Sequence, residues 1–420
     1  MEHAKVRELE LEVQEINRVE NEGENLDTVD GFEKFMKKQL HKICRLPVKY
    51  DRNTVGASCI DGTKRSKVEG EGDADFGDIY DFTHAERGLA IIINNEDFPE
   101  TSYFNRLGSL IDAMALYQTF KNLGFRVWVT KNLKSWQMAH VLRLGSKEYD
   151  HRNADCFACA ILSHGEETIV NAEHGRLVVR KDLLIGADGK NMAIDTVTEM
   201  FNDIACPGLR GKPRLFFIQA CRGKKYDDGW KVAVTGRKQE TSGGGRQSCD
   251  GTHQDNIQNT SSRPHETSSS SSSERHRVPT DETDAEPCSS EESSDEELPP
   301  VNLQASSSAT MGMPNVSMAP VRVVSLPPLY KDSLIMYATP PGHSAWRTTD
   351  TGSWFVKSLC SALDVPAIFD RSLLSALTNV VGIVARDLET FLPCKPAMHR
   401  KKQTPVFESM LVNDVFFTPK

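Results

Sequence analysis

A histidine and a cysteine occupy equivalent places in this chain, each directly after an apolar run. DCFACAILS, residues 155–163, leads into His164-Gly165-Glu166-Glu167, and RLFFIQA, residues 214–220, leads into Cys221-Arg222-Gly223. A thiolate is a strong nucleophile, and an imidazole titrates near neutrality and can hold or donate the proton. The glycines beside them leave backbone N–H groups open to a developing oxyanion. Acyl transfer through cysteine is the chemistry such residues would perform. Taken singly, a cysteine after a buried strand is more often a small apolar filler, so the reading requires a fold that brings the two together.

The flanking pattern predicts that fold. LAIIIN from Leu89, FRVWVT (125–130), DCFACAILS and RLFFIQA read as strands, and between them Leu110, Met114, Tyr117 and Phe120 recur at helical spacing, with further helices in SWQMAHVLRLGSKEY and DTVTEMFND. SLIMYAT (333–339) reads as another strand, GSWFVKSLCSALD and SLLSALTNVVGIVARDLETF as helices, and VFESMLVNDVFF as the final strand region. Apolar strands alternating with amphipathic helices make an α/β fold, a mostly parallel central sheet with helices on both faces. Ligands of such sheets sit beyond the carboxyl ends of the strands, where His164 and Cys221 both fall.

Composition narrows the classes. With glycine included and tyrosine left out, roughly 43% of the chain is apolar, just under the ~45–50% of globular domains, so part of it is unpacked. A net charge of -9 argues against nucleic acid as a partner, and KRSK at 64–67 is too short to reverse that. No apolar run is long enough to span a membrane, and the first residues, MEHAKVRELE, lack the core of a secretory signal. Ten scattered cysteines suggest free thiols in a reducing compartment, so a cytoplasmic location is expected. Cys156-x-x-Cys159 has metal-ligand spacing, yet no second pair follows and an odd separation puts the two on opposite faces of a strand; no metal or cofactor is expected. LAIIINNEDFPETSYF carries no G-x-G-x-x-G to cradle a phosphate, which counts against a doubly wound nucleotide binder as the alternative.

Two segments stand apart. In residues 1–46, Val6, Leu9, Val13 and Ile16, then Phe32, Phe35, Met36, Leu40 and Ile43, predict two short helices, followed by a polar connector to residue 78. From 235 to 320 the chain is serine-rich and acidic, with a Ser268–Ser273 run and DETDAEPCSSEESSDEE, and it reads as a disordered insertion. The ordered halves 79–234 and 321–420 complete one sheet.

QACRG at 219–223 fits the signature Q-A-C-[RQG]-G, and His164 lies 57 residues upstream of Cys221. With RGLAIIINNEDF, SHGEE and AWRTTDTGSWFVKSL in the same order, the chain resembles the caspases, executioner caspases above all. The resemblance implies the caspase-hemoglobinase fold and a cysteine endopeptidase that cuts proteins after aspartate. It implies that Cys221 is the nucleophile, His164 the general acid/base, and the N–H groups of Gly165 and Cys221 the oxyanion hole, with a carbonyl near Phe104 orienting the imidazole. It implies that Arg106, Gln219 and Arg347 hold the substrate aspartate, two guanidinium forks satisfying one carboxylate, and that Trp346 and Trp354 shape neighbouring subsites. The organisation would be a propeptide (1–78), a large subunit (79–234), an intersubunit linker (235–320) and a small subunit (321–420). Asp281-Glu282-Thr283-Asp284, followed by Ala285, looks like an activating cleavage site; Asp250, Asp75 and Asp61 are weaker ones. The partners implied are protein substrates, a second copy in a homodimer, an upstream initiator caspase and inhibitor-of-apoptosis proteins, with a role in apoptosis. The competing reading is a catalytically weak regulator that recruits partners through its terminal helices or its insertion. The runner-up within the protease reading is self-association and auto-activation through those helices.

Overall fold

The computed structural model describes residues 2–21, 23–46, 78–172, 177–229, 281–283, 322–324 and 330–420. Asp284, Asp250, Asp75 and Asp61, and nearly all of the connector and linker, lie outside the described residues. The chain begins with α1 (Glu2–Asn17) and α2 (Val29–Arg45). Then follow β1 (Leu89–Asn94), α3 (Ser109–Asn122), β2 (Arg126–Lys131), α4 (Ser135–Glu148) and β3 (Phe157–Leu162). Next come β4 (Gly165–Ala172), β5 (Leu177–Ile185), β6 (Asn191–Ala193), α5 (Ile194–Glu199) and β7 (Arg214–Gln219). The remaining elements are β8 (Asp281–Thr283), β9 (Arg322–Val324), β10 (Ser333–Tyr337), β11 (Trp346–Thr348), β12 (Gly352–Ser353), α6 (Trp354–Ala362), α7 (Leu373–Asp387) and β13 (Val406–Ser409).

Six strands form the central sheet in the order β13-β10-β7-β3-β1-β2, parallel throughout except for β13. Every residue of β1, β3, β7 and β10 is buried, as expected for strands covered on both faces. Two apolar clusters lie on the two sides, Ala90 and Ile92 facing one and Leu89, Ile91 and Ile93 the other. Cys156 and Cys159 divide the same way, and burial raises both thiols, Cys156 to about 12. The chain leaves β1 for β2 on one side and returns to β3 on the other, which creates a switch point at the carboxyl end of the sheet.

Several elements depart from the pattern-based reading. The stretch after His164, to which the pattern assigned no element, forms an antiparallel hairpin of β4 and β5 with Gly165 opposite Leu184, and its paired backbone outweighs the polar Glu166 and Glu167. The helix expected over DTVTEMFND is short, ending at Glu199, and the last long helix stops at Asp387. α6 and α7 start where serine supplies a cap, Ser353 Oγ accepting from Val356 N and Ser372 Oγ from Ser375 N.

The two N-terminal helices dock against the sheet that the rest of the chain builds. α1 packs beside α3, placing Leu9 and Val13 in one apolar cluster, and α2 packs beside α4, placing Phe32, Met36, Leu40 and Ile43 in the other. Together they straddle β2, the edge strand. Asn17 Nδ2 donates to the Val129 carbonyl at 2.6 Å, and the Arg126 guanidinium donates to the carbonyls of Ile43 and Leu46, so polar groups at this edge are used from outside the sheet. Glu12 accepts from Tyr117 Oη at 2.9 Å and Lys121 Nζ at 2.6 Å. Among the described residues, no helix is long and apolar enough to cross a membrane, and no cluster of side chains suits a metal ion.

Candidate active site

Three strand ends supply the site. β1 runs into Asn95 and Glu96 and the loop that carries Arg106; β3 ends two residues before His164; β7 ends at Gln219, followed by Ala220 and Cys221. Parallel pairing of β1 with β3 and of β3 with β7 puts these ends on one edge, in the register Asn94 to Leu162 to Gln219. His164, Gly165 and Cys221 line one cavity of about 430 Å³, together with Tyr103 and Gly342. Gly165 is packed so closely on the cysteine loop that a Cβ there would lie 2.3 Å from the Cys221 carbonyl oxygen.

The imidazole is held by geometry the motif does not contain. His164 Nε2 lies 2.7 Å from the Phe104 carbonyl oxygen, and a carbonyl only accepts, so Nε2 carries the proton. The rings of Phe98 and Tyr103 flank it at 4.7 and 5.2 Å. The amide of Ala345 donates to Cys221 Sγ at 3.2 Å, giving the sulfur a fixed N–H partner.

Arg106, Gln219 and Arg347 are all buried beside this cavity's strand ends. Arg106 is fastened through its own N–H to the Glu96 carbonyl at 2.7 Å and through Nη1 to the Asn95 carbonyl at 3.0 Å. Arg347 Nε donates to the Leu107 carbonyl at 2.8 Å, which ties the second arginine to the first one's loop. Gly108 lets the loops meet; its φ is 86°, and a Cβ would come within 2.8 Å of the Thr348 and Thr349 carbonyl oxygens. Burial lowers Arg106 to about 10, the mark of a guanidinium stripped of water.

Asp112, six residues after Arg106 and given no role from the sequence, belongs with these arginines. It is buried in α3, its Oδ1 accepts from Ser353 N at 2.8 Å, and burial raises it to about 6 against the pull of Ser353, Arg347 and Arg106. A carboxylate one turn into a helix that follows an arginine loop was the available signal. Trp346 is buried, stacked on Tyr226 at 5.4 Å, with its backbone N–H donating to Gln403 Oε1 at 2.6 Å and its indole N–H to the Lys402 carbonyl at 3.2 Å. Trp354 opens α6 with its ring 6.2 Å from that of Trp346, so the two tryptophans form one aromatic patch. Tyr226 and Gln403 carried no signal in the sequence.

The described part of the linker lies on this site. β8 pairs antiparallel with β11, Thr283 opposite Trp346, Glu282 opposite Arg347 and Asp281 opposite Thr348. Backbone from the DETD segment thus extends the strand that carries Arg347.

A sheet of this topology with histidine, cysteine and a glycine N-terminus of a hairpin around one cavity defines a thiol hydrolase of the α/β class. The caspase domain model matches residues 87–416. The chain is 30% identical over 341 residues to "Caspase-1" of Spodoptera frugiperda, covering 81% of this chain and 82% of that protein. It is 30% identical over 339 residues to "Caspase-7" of Gallus gallus, covering 80% and 79%. The crystal structure of Caspase-1 from Spodoptera frugiperda superposes with a TM-score of 0.53 at 28% identity, covering 85% of this chain and 99% of that one. The chain belongs to the caspase family; it is a cysteine-type endopeptidase that cleaves after aspartate.

Proposed function

We propose that this protein is a caspase zymogen activated by cutting its own linker after Asp284, and that it acts as an executioner in apoptosis. The observation that carries this reading is the pairing of β8 with β11. An extended peptide adding a strand to an exposed edge is a common way for a protease to hold substrate, and here the peptide is the chain's own Asp281–Thr283. Asp284 follows directly and would enter the cavity beside Cys221.

In the proposed mechanism Cys221 attacks the carbonyl carbon of the aspartate, forming a C–S bond while the carbonyl electrons move to oxygen. The N–H groups of Gly165 and Cys221 hold that oxyanion. His164, kept in one tautomer by the Phe104 carbonyl, exchanges its proton through Nδ1, taking it from the thiol and giving it to the leaving amine as the C–N bond breaks. Water then releases the acyl group from sulfur and regenerates the thiol. Arg106, Gln219 and Arg347 bind the aspartate carboxylate, while Trp346 and Trp354 contact the residues before it.

β13 is the antiparallel edge of the sheet and supports a homodimer through pairing of two copies there, with Met410 and Val412 exposed just beyond it. An initiator caspase that nicks the linker, and inhibitor-of-apoptosis proteins, are the other partners proposed. Asp250, Asp75 and Asp61 are proposed as secondary cuts.

Mass spectrometry of purified wild type, Cys221→Ala and Asp284→Glu tests the proposal. Wild type cut after Asp284, at a fractional rate independent of protein concentration, is expected, with the two variants uncut there. A rate that rises in proportion to concentration would refute cutting within one chain, and a cut in Cys221→Ala would refute the nucleophile.

A further inference from the structure

The N-terminal helices enclose a second cavity that the proposed catalytic steps leave unused. It measures about 660 Å³, within the ~300–1,000 Å³ of small-molecule sites. It wraps the end of the edge strand, with Val13 from α1, Phe32 and Met36 from α2, Met114 from α3 and Val129 from β2 in its walls. These walls are mainly apolar, and among the polar residues that also line the cavity one is deeply buried and unmatched. Asn94, the last residue of β1, is 1% exposed and lines the cavity, and neither its Nδ2 nor its Oδ1 finds a hydrogen-bond partner among the described residues.

A buried carboxamide with both functions unsatisfied is costly, and a ligand that supplies a donor and an acceptor together relieves it. Asn17 adds a second unmatched acceptor at the same wall: its Nδ2 is used by the Val129 carbonyl, and its Oδ1 has no partner among the described residues. Of the charged lining residues, Arg18 and Lys131 are engaged by Glu15 and Glu96, and Glu10 accepts from Gln14 Nε2 at 3.3 Å, so no unpaired cation lines the described wall to favour an acidic head. We infer that this cavity is a binding site for a neutral, planar, mainly apolar molecule bearing one primary carboxamide or lactam, held edge to edge by Asn94.

The site lies directly behind the arginine loop. The residue after Asn94 supplies the carbonyl that accepts from Arg106 Nη1 at 3.0 Å, and the following one accepts from Arg106 N at 2.7 Å. Asn95 Oδ1 also accepts from Leu133 N at 2.8 Å, so the segment is tied on both sides and a ligand bonded to Asn94 loads it. Occupancy therefore tunes recognition of aspartate, a consequence that rests on the role proposed above for Arg106.

Calorimetry on the full chain with 2-naphthamide and with N,N-dimethyl-2-naphthamide tests the site. The second probe keeps the ring and the acceptor and loses the donors. At least tenfold tighter binding of 2-naphthamide is expected. Asn94→Leu, similar in size, should erase that difference, and Leu26→Trp, at a lining residue 36% exposed, should weaken both probes without touching the core. Equal affinity for the two probes, or a preference that survives Asn94→Leu, would overturn the assignment, as would no binding by either in wild type, the result expected if water or the chain itself fills the cavity. Saturating 2-naphthamide should change KM for an acetyl-DETD reporter with kcat unchanged; binding without a KM effect would overturn the coupling alone. An enzyme with no turnover that still discriminates the probes would count against the catalytic assignment and not against this site.

Discussion

Replacing Gly165 by alanine puts the proposed catalytic geometry under a measurable load. The added Cβ would stand 2.3 Å from the Cys221 carbonyl oxygen, 2.8 Å from Ala220 Cβ and 3.2 Å from the Leu183 carbonyl oxygen. Ordinary contact needs at least 3.4 Å, so the strand end bearing His164 and the loop bearing Cys221 must separate by about 1 Å. Backbone lies on two of the three sides, and no flexible side chain can give way instead. A displacement of that size between reacting groups costs about a hundredfold in rate, or about 2.7 kcal/mol of barrier. Overpacking adds about 1–3 kcal/mol of lost stability. Steady-state kinetics of the linker-cut enzyme on an acetyl-DETD reporter should show kcat down about a hundredfold with KM little changed, since Arg106 and Arg347 are fastened to other loops. Gly211→Ala is the control: φ is 72° but nothing lies within 4 Å of the new methyl, so it should lose about 1–2 kcal/mol to backbone strain and keep its kcat. Gly165→Ala with wild-type kcat would refute the close apposition of the two loops.

Arg347→Ala removes one of two buried guanidinium groups and should lower kcat/KM by about a hundredfold, about 3 kcal/mol, mostly through KM; an unchanged kcat/KM would sink the clamp. Asp112 titrates from 3.8 in the unfolded chain to about 6 in the folded one, so the native state favours its protonated form. Its contribution to stability is fully present below pH 3.8 and is lost as pH rises through about 6, amounting to about 3 kcal/mol; Asp112→Asn should flatten the stability of the chain across that window in urea titrations. Leu40→Ala, at a fully buried position of α2, should destabilise the protease domain by about 2–5 kcal/mol and speed hydrogen exchange in β2. Exchange unchanged from wild type would mean that the helices are an independent module, as the recruiting alternative requires.

The parallel sheet was legible because its strands are buried on both faces. LAIIIN, FACAIL and RLFFIQ read as continuous apolar runs with no competing pattern, and the order of runs and helices then sets the edge on which His164 and Cys221 emerge. The β4–β5 hairpin was not legible, since half-exposed strands are held by backbone pairing that a polar Glu-Glu step conceals.

What the sequence determined by itself was the chemistry: a thiol, an imidazole, neighbouring glycines and two arginines, in the order and spacing of one family. Local residue types suffice for that, because reactivity belongs to the side chain. The tertiary structure decided what surrounds these groups. The family resemblance already pointed to the Phe104 carbonyl, but the Ala345 amide on Cys221 and the Asp112 carboxyl near the arginines come from segments distant in sequence, joined by packing that no local pattern encodes. The helices of residues 1–46 show the same limit. Their apolar faces were visible, but that they close over the edge strand β2 follows only from where the rest of the chain left apolar surface and an edge to cover.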